Sequence, residues 1–428
     1  MKVMKLALLG TAALAAVSVS ARADDLSALK AQIEALQADV AALQAAPAVP
    51  AGFSLMTVSE GDRIVVPGLE VRDNNMYAKK VTTIGVLPTA DVPASTVIQW
   101  SGSVRAALAY YDRNYYTDDY EANTLHIKAR GRLDVTGTTD TAVGEVGASM
   151  SIYADIDNTQ TSTTNTGFTS QSGTVKMDYA WGWWKMTPEL TFAGGYNGSL
   201  ATIGYGIRKI NDAYISRGSV GVDGGDFTQL RLSYNSGPIG IAVALEHTDE
   251  GGNYDDLAGT PIADIKGGPL GVAAEVTYSG DMFNAELAGF VRDTGLYDEK
   301  YTQSQIGLGL GAKLSDMFDV SVAGSVGNNV FYTISPSTIN VGDGWEVSAA
   351  IVATLSDSIS AEVGAGYSKY KGEYYDDTTK TTAVAGGIYW SPVSQLKTGL
   401  QASYTHRDTT YDYNSTETRA AWVTWWNF

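Results

Sequence analysis

The strongest constraint on this chain is an alternation of apolar and polar side chains, the period of a strand, that recurs in segments from Val97 to Phe428. The connections between segments are short and long by turns. The short ones fall at Gly137 to Thr141, Thr187-Pro188-Glu189, Ser236-Gly237-Pro238, Ser279-Gly280-Asp281, Ser315-Asp316-Met317, Ser356-Asp357-Ser358 and Ser391-Pro392-Val393. The long ones, rich in Asp, Asn, Thr, Tyr and Gly, lie near residues 111–121, 157–172, 198–226, 248–269, 293–301, 328–344, 371–379 and 407–416. Seven turns and eight loops join sixteen strands whose two ends leave on the turn side. That rhythm predicts an all-β fold, a 16-stranded antiparallel transmembrane β-barrel over residues 97–428.

Each strand should then offer one face to lipid and the other to water. Leu396, Thr398, Leu400, Ala402 and Tyr404 lie opposite Lys397, Gln401, Ser403, Thr405 and Arg407. Ile306, Leu308, Leu310, Ala312 and Leu314 lie opposite Gln305 and Lys313. Val347, Ala349, Ile351 and Ala353 oppose Glu346 and Ser348, and Ile359, Ala361, Val363 and Ala365 oppose Glu362 and Ser368. A soluble sandwich alternates too, but it needs neither an export leader, nor sixteen strands, nor unequal connections. The closing segment places Ala420, Trp422, Thr424, Trp426 and Phe428 on one face, and its aromatics suit the girdle at a membrane interface.

The first residues read as a leader. Lys2 and Lys5 precede an apolar run from Leu6 to Val19 and the small-x-small Ala21-Arg22-Ala23, which predicts a signal peptide over residues 1–23. The run is too short for a transmembrane helix, which needs about 20 apolar residues. Leu26, Leu29, Ile33, Leu36, Val40 and Leu43 then form a heptad seam that Pro47 and Pro50 close, so residues 24–46 read as a short α-helical coiled coil or a single amphipathic helix. Residues 47–96, with apolar runs at Phe53 to Val58, Ile64 to Val71 and Val81 to Leu87, read as a periplasmic linker or a small β-rich region. It could sit under the barrel or partly inside it.

Composition narrows the chemistry. The 44% of hydrophobic residues must be dispersed, since no later run approaches the leader in apolar length. Cysteine is absent, which removes disulfides, thiol catalysis, thiolate metal sites and a lipid anchor on Cys. The formal charge of -18, made more negative by losing Lys2, Lys5 and Arg22 with the leader, disfavours nucleic-acid partners.

The opening strand Ile98-Gln99-Trp100-Ser101-Gly102-Ser103-Val104-Arg105, the long third loop and the closing Thr424-Trp425-Trp426-Asn427-Phe428 resemble the alphaproteobacterial branch of the general-diffusion porins. The resemblance covers Val97 to Phe428 and implies a homotrimer of barrels in the cell outer membrane, with the third loop folded into each pore. The terminal Phe428, with Trp426, resembles the signal read by the outer-membrane assembly machinery. The heptad segment and residues 51–95 depart from many members of that family.

No catalytic constellation is apparent, and the reading calls for no enzyme activity, cofactor or metal. His126, His247 and His406 fall on separate strands or strand ends, and Gly204-Tyr205-Gly206 lacks the Lys of a nucleotide loop. A pore works through its width and wall charge. If Leu125, Ile127, Ala129, Gly131 and Leu133 face lipid, then His126, Lys128, Arg130, Arg132 and Asp134 face water, with Arg105 beside them. The reverse register would expose three cations to hydrocarbon at about 2–4 kcal/mol each near the midplane. Opposing acids are expected from the third loop, about 198–226, which holds Asp212, Asp223 and Asp226 with Arg208, Lys209 and Arg217.

Passive diffusion of ions and small hydrophilic solutes is the function this pattern favours. A tether from membrane to cell wall through the coiled coil, and a channel specific for a sugar or anion, are the alternatives. Outer-membrane lipid and lipopolysaccharide are the expected surroundings. The acid pairs Asp118-Asp119, Asp255-Asp256 and Asp376-Asp377 could hold divalent cations, though solvated loops suit them better.

Overall fold

The computed structural model describes residues 55–69, 80–87, 95–115, 121–157, 175–211, 213–248, 270–296, 299–335, 338–372, 377–410 and 414–428. The leader and the heptad residues Leu26, Leu29, Ile33, Leu36, Val40 and Leu43 lie outside them, as do the acid pairs of the long loops apart from Asp377.

Two short strands, β1 (Met56–Asp62) and β2 (Lys80–Val86), precede the main sheet. It runs through β3 (Thr96–Tyr115), β4 (Glu121–Thr141), β5 (Gly144–Asp157), β6 (Val175–Lys185), β7 (Leu190–Gly198), β8 (Asp226–Ser236), β9 (Ile239–His247) and β10 (Leu270–Ser279). It continues through β11 (Phe283–Leu296), β12 (Glu299–Lys313), β13 (Phe318–Ser335), β14 (Thr338–Thr354), β15 (Ile359–Gly372), β16 (Thr378–Val393), β17 (Leu396–Thr409) and β18 (Ser415–Asn427). Each of these sixteen strands pairs antiparallel with its neighbours in sequence, and β18 pairs with β3, so the sheet closes into a barrel without free edges.

Closure rests on the last residue. Gly102 and Phe428 exchange both backbone hydrogen bonds, at 2.9 and 3.0 Å. The Phe428 ring lies so close that a Cβ on Gly102 would sit 2.5 Å from it, so this seam position excludes a side chain. Below that pair β3 changes partner: Thr82 to Val86 of β2 pair with Trp100 back to Thr96, so the β1–β2 hairpin extends the edge that β18 leaves.

The alternation has its expected sense. Leu125, Ile127, Ile306, Leu308, Val347, Ile351, Leu400, Trp422 and Trp426 lie exposed on the outer face, while Asp134, Glu346, Ser348, Gln401 and Ser403 are buried on the inner one. Trp425 departs from a girdle role because its odd register turns it inward, where it packs edge-on to Tyr389 at 5.9 Å.

Four expected connections move. The turn placed at Gly137 to Thr141 lies beyond it, because β4 keeps pairing with the start of β3 and turns only after Thr141. The one at Ser391 to Val393 follows a register shift between Trp390 and Val393, and β17 begins at Leu396. The segments 293–301 and 328–344, expected as loops, are mostly strand. In the second, a bulge after Gly327 absorbs the polar Asn328-Asn329, and Tyr332 stacks on Tyr370 at 5.2 Å, which continues the ladder beyond it.

Candidate functional site

The interior is where polar side chains converge. The third loop, between β7 and β8, turns into the barrel and lies along the inner wall from β11 round to β18 and β3. Its apolar residues hold it there: Ile203, Ile207, Ile210, Ile215, Val220 and Val222 are all buried. Each such side chain contributes about 1.5–3 kcal/mol on full burial.

Room for them comes from inward-facing glycines. A Cβ at Gly309 would lie 2.5 Å from Tyr205 and 2.6 Å from Ile203, one at Gly307 2.6 Å from Ile203, and one at Gly366 2.5 Å from Val220. The wall of β12 and β15 is therefore a trench cut to fit the loop. Gly206 has φ 63, a left-handed conformation that favours glycine, and its open side abuts Ser348 and Ala323. Tyr205 and Gly206 thus seat the loop.

A loop without regular structure must still satisfy its backbone. Glu362 accepts the Asn211 N–H at 2.7 Å, Glu346 accepts the Gly221 N–H at 3.0 Å, and Ser348 and Ser403 accept those of Ile207 and Ser216 at 3.1 and 3.0 Å. Gln401 and Arg292 donate to the carbonyl oxygens of Asn211 and Gly224 at 2.8 and 2.7 Å. The alternation had placed Glu346, Ser348, Glu362, Gln401 and Ser403 on the inner face, but not as supports of the loop; the signal was an inward carboxylate, amide or glycine recurring on strands that line water.

The basic set is carried by β3 and β4, with the acid Asp155 on the neighbouring β5. Arg105 faces Arg130 in register, and its guanidinium lies 4.6 Å from the Tyr214 ring of the loop. Lys128 lies 4.7 Å from the Tyr111 ring. Arg130 makes a forked pair with Asp155 at 2.6 and 2.7 Å. Arg132 pairs with Asp134 and with Asp178, both at 2.9 Å; Asp178 is the extra residue of a bulge in β6 that brings it to Arg132. The Arg130 side chain is 29% exposed and that of Arg132 10%, so Arg130 is the more open to solute.

The expected acids behave differently from one another. Asp223 is bound within its own loop, 2.8 Å from Arg208, rather than across the bore. Burial would raise its carboxyl, but Arg208, the Gly225 N–H and Arg217 outweigh that and hold it at about 2. Asp226 opens β8 in register with the outward Leu230 and Leu232, which directs it away from the bore. Asp212 lies outside the described residues.

A second chain segment lies inside. After β1, Val66 and Leu69 pack with Tyr179, Trp181 and Trp183 of β6 and Ala193 of β7. The Asn197 amide donates to the Gly68 carbonyl at 2.8 Å, at the foot of the third loop. Of the region the sequence left open, the described residues form a hairpin paired with the start of β3 and a stretch, residues 63–69, packed on the inner face of β6 and β7.

Residues 92–424 match the family described as Porin subfamily. Among solved structures, the chain is similar to OmpF of Salmonella typhi in complex with daunomycin, at 11% identity over 77% of this chain and 98% of that one, TM-score 0.56. It is similar to the anion-selective porin of Comamonas acidovorans, at 13% identity over 78% and 100%, TM-score 0.51. It is also similar to OmpT of Vibrio cholerae lacking loop L8, at 11% identity over 78% and 99%, TM-score 0.51. At these identities the likeness is one of fold. No curated protein matches the chain.

Proposed function

This chain belongs to the porin subfamily and is an outer-membrane channel for passive diffusion, and from that premise we propose that its solutes cross between the basic wall of β3 and β4 and the third loop. Arg105, Lys128 and Arg130 set the charge at the narrowest level, with Arg132 holding the wall in place. The observation that carries this is the seating of the third loop by the inward carboxylates Glu346 and Glu362, which fixes its backbone inside the barrel. Asp223 adds a local negative charge that Arg208 largely compensates. Ions and small hydrophilic molecules pass such an opening, and apolar ones are disfavoured because they would forgo ordered water.

In this reading three barrels associate, as in the alphaproteobacterial porins the chain resembles, residues 1–23 are the export leader, and residues 24–46, which depart from that family, are a coiled coil on the periplasmic side that helps to join them. Trp426 and Phe428 are the mark that the assembly machinery reads, an idea supported by the pairing of Phe428 at the seam. Swelling of liposomes that hold the purified protein, in sugars of rising size, tests the reading. Uptake should fall steeply with solute size, whereas a single saturable sugar would favour a specific channel.

A further inference from the structure

The inner face of β6 carries Tyr179, Trp181 and Trp183, three large aromatics on a wall that should meet water. All are buried, because the chain between Asp62 and Leu69 covers them. Gln99 of β3 holds the segment at its entry: its side chain accepts the Ile64 N–H at 2.7 Å and donates to the Asp62 carbonyl at 2.7 Å and to Thr83 Oγ at 3.1 Å. From there the segment reaches the Trp181 indole, whose N–H donates to the Pro67 carbonyl at 2.8 Å. It then reaches Gly68, whose carbonyl accepts from Asn197 at 2.8 Å and Arg231 at 3.3 Å. Arg231 also donates to the Gly198 carbonyl, where the third loop begins. At about 3.4 Å per extended residue, Asp62 to Gly68 spans up to about 20 Å of the wall.

We propose that residues Arg63–Leu69 form a second constriction, inserted from the turn end of the barrel, that narrows the bore on the side facing the third loop and presents Val65 to passing solutes. Val66 and Leu69 are both buried against the wall, on either side of the turn at Gly68, while Val65 is 65% exposed. A lining chain takes about 5–10 Å of width, the spacing of strands or of packed layers, which is a large share of a small pore. The inference rests on the channel reading and adds to it a second determinant of size and selectivity.

The chain has no cysteine, so Val65→Cys introduces a single thiol into the full protein. In planar bilayers, a cationic methanethiosulfonate should lower the current of Val65→Cys channels in discrete steps and leave the parent channel unchanged. A complementary variant exploits the end of the hairpin, where Asp62 pairs with Lys80 in register and at 2.7 Å. Replacing residues 63–79 by Asn-Gly, a two-residue turn suited to that register, should raise single-channel conductance about twofold, given the width such a chain occupies. Unaltered current in Val65→Cys after the reagent, or unchanged conductance in the turn variant, overturns the second constriction. A parent protein that never conducts overturns the channel reading instead.

Discussion

Glu362 accepts the Asn211 N–H at 2.7 Å and the Tyr389 hydroxyl at 2.6 Å, so one carboxylate on β15 joins the third loop to the barrel wall. Charged hydrogen bonds of this kind contribute about 1.5–3 kcal/mol each. Glu362→Ala leaves a backbone N–H and a hydroxyl without their acceptor, so the loop should loosen while the outer sheet persists. Increased open-channel current noise, with strand content by circular dichroism unchanged, is the expected result.

The trench makes an opposite demand. Gly309→Val would drive a side chain into Tyr205 and Ile203, which lie 2.5 and 2.6 Å from its Cβ position. Overpacking of this sort costs about 1–3 kcal/mol, and here the loop can yield by moving into the bore. Lower conductance with a barrel that still assembles is expected; an unchanged conductance would mean that the loop is not seated on β12.

The two arginines of β4 should separate. Arg130→Ala removes the more open of the two charges and leaves Asp155 facing the bore, so reversal potentials should shift toward cation preference. Arg132→Ala strands Asp134, whose side chain is only 4% exposed. Loss of a buried partner costs about 3–5 kcal/mol, and the effect should appear as a lower unfolding temperature in detergent, larger than that of Arg130→Ala.

The strands and their facing were legible because lipid on one side and water on the other impose a period of two. What enters the bore was legible only in part. The Leu-Gly alternation of Gly307, Gly309 and Gly311 marked an inner face without side chains, but nothing local to those residues says that Ile203 and Tyr205 fill it. Similarly, Ile64 to Leu69 is a short apolar run broken by Pro67 and Gly68, and its site is fixed by Trp181, far along the chain. The inward parity of Tyr179, Trp181 and Trp183 was the available clue that something covers them. Asp226 was misassigned to the bore because a loop boundary hides the strand register that begins there.

Acid should spare Asp223 until low pH. A carboxyl held at about 2 supports the folded loop fully above its ordinary value near 3.9 and loses that support as pH falls toward 2. The difference in reversal potential between the parent and Asp223→Asn should therefore be constant from about pH 7 to about pH 4, given that ordinary value. Its disappearance within that window would mean that Arg208 does not hold the carboxylate.

The seam predicts a defect in assembly. Removing Phe428 deletes two backbone hydrogen bonds to Gly102 and the ring packed on it. The fraction of protein that resists unfolding in cold detergent on gels should fall, and Phe428→Tyr, which keeps ring and backbone, should restore it. Equal assembly of the truncated and parent chains would remove the terminal residue from both closure and recognition.

Single-channel recording of the purified protein bears most directly on the whole account. A water-filled bore that excludes neither ion outright should give discrete openings whose conductance rises in proportion to the conductivity of the bathing electrolyte. A bilayer that stays silent with correctly folded protein present, or a current that saturates at low salt, would contradict it.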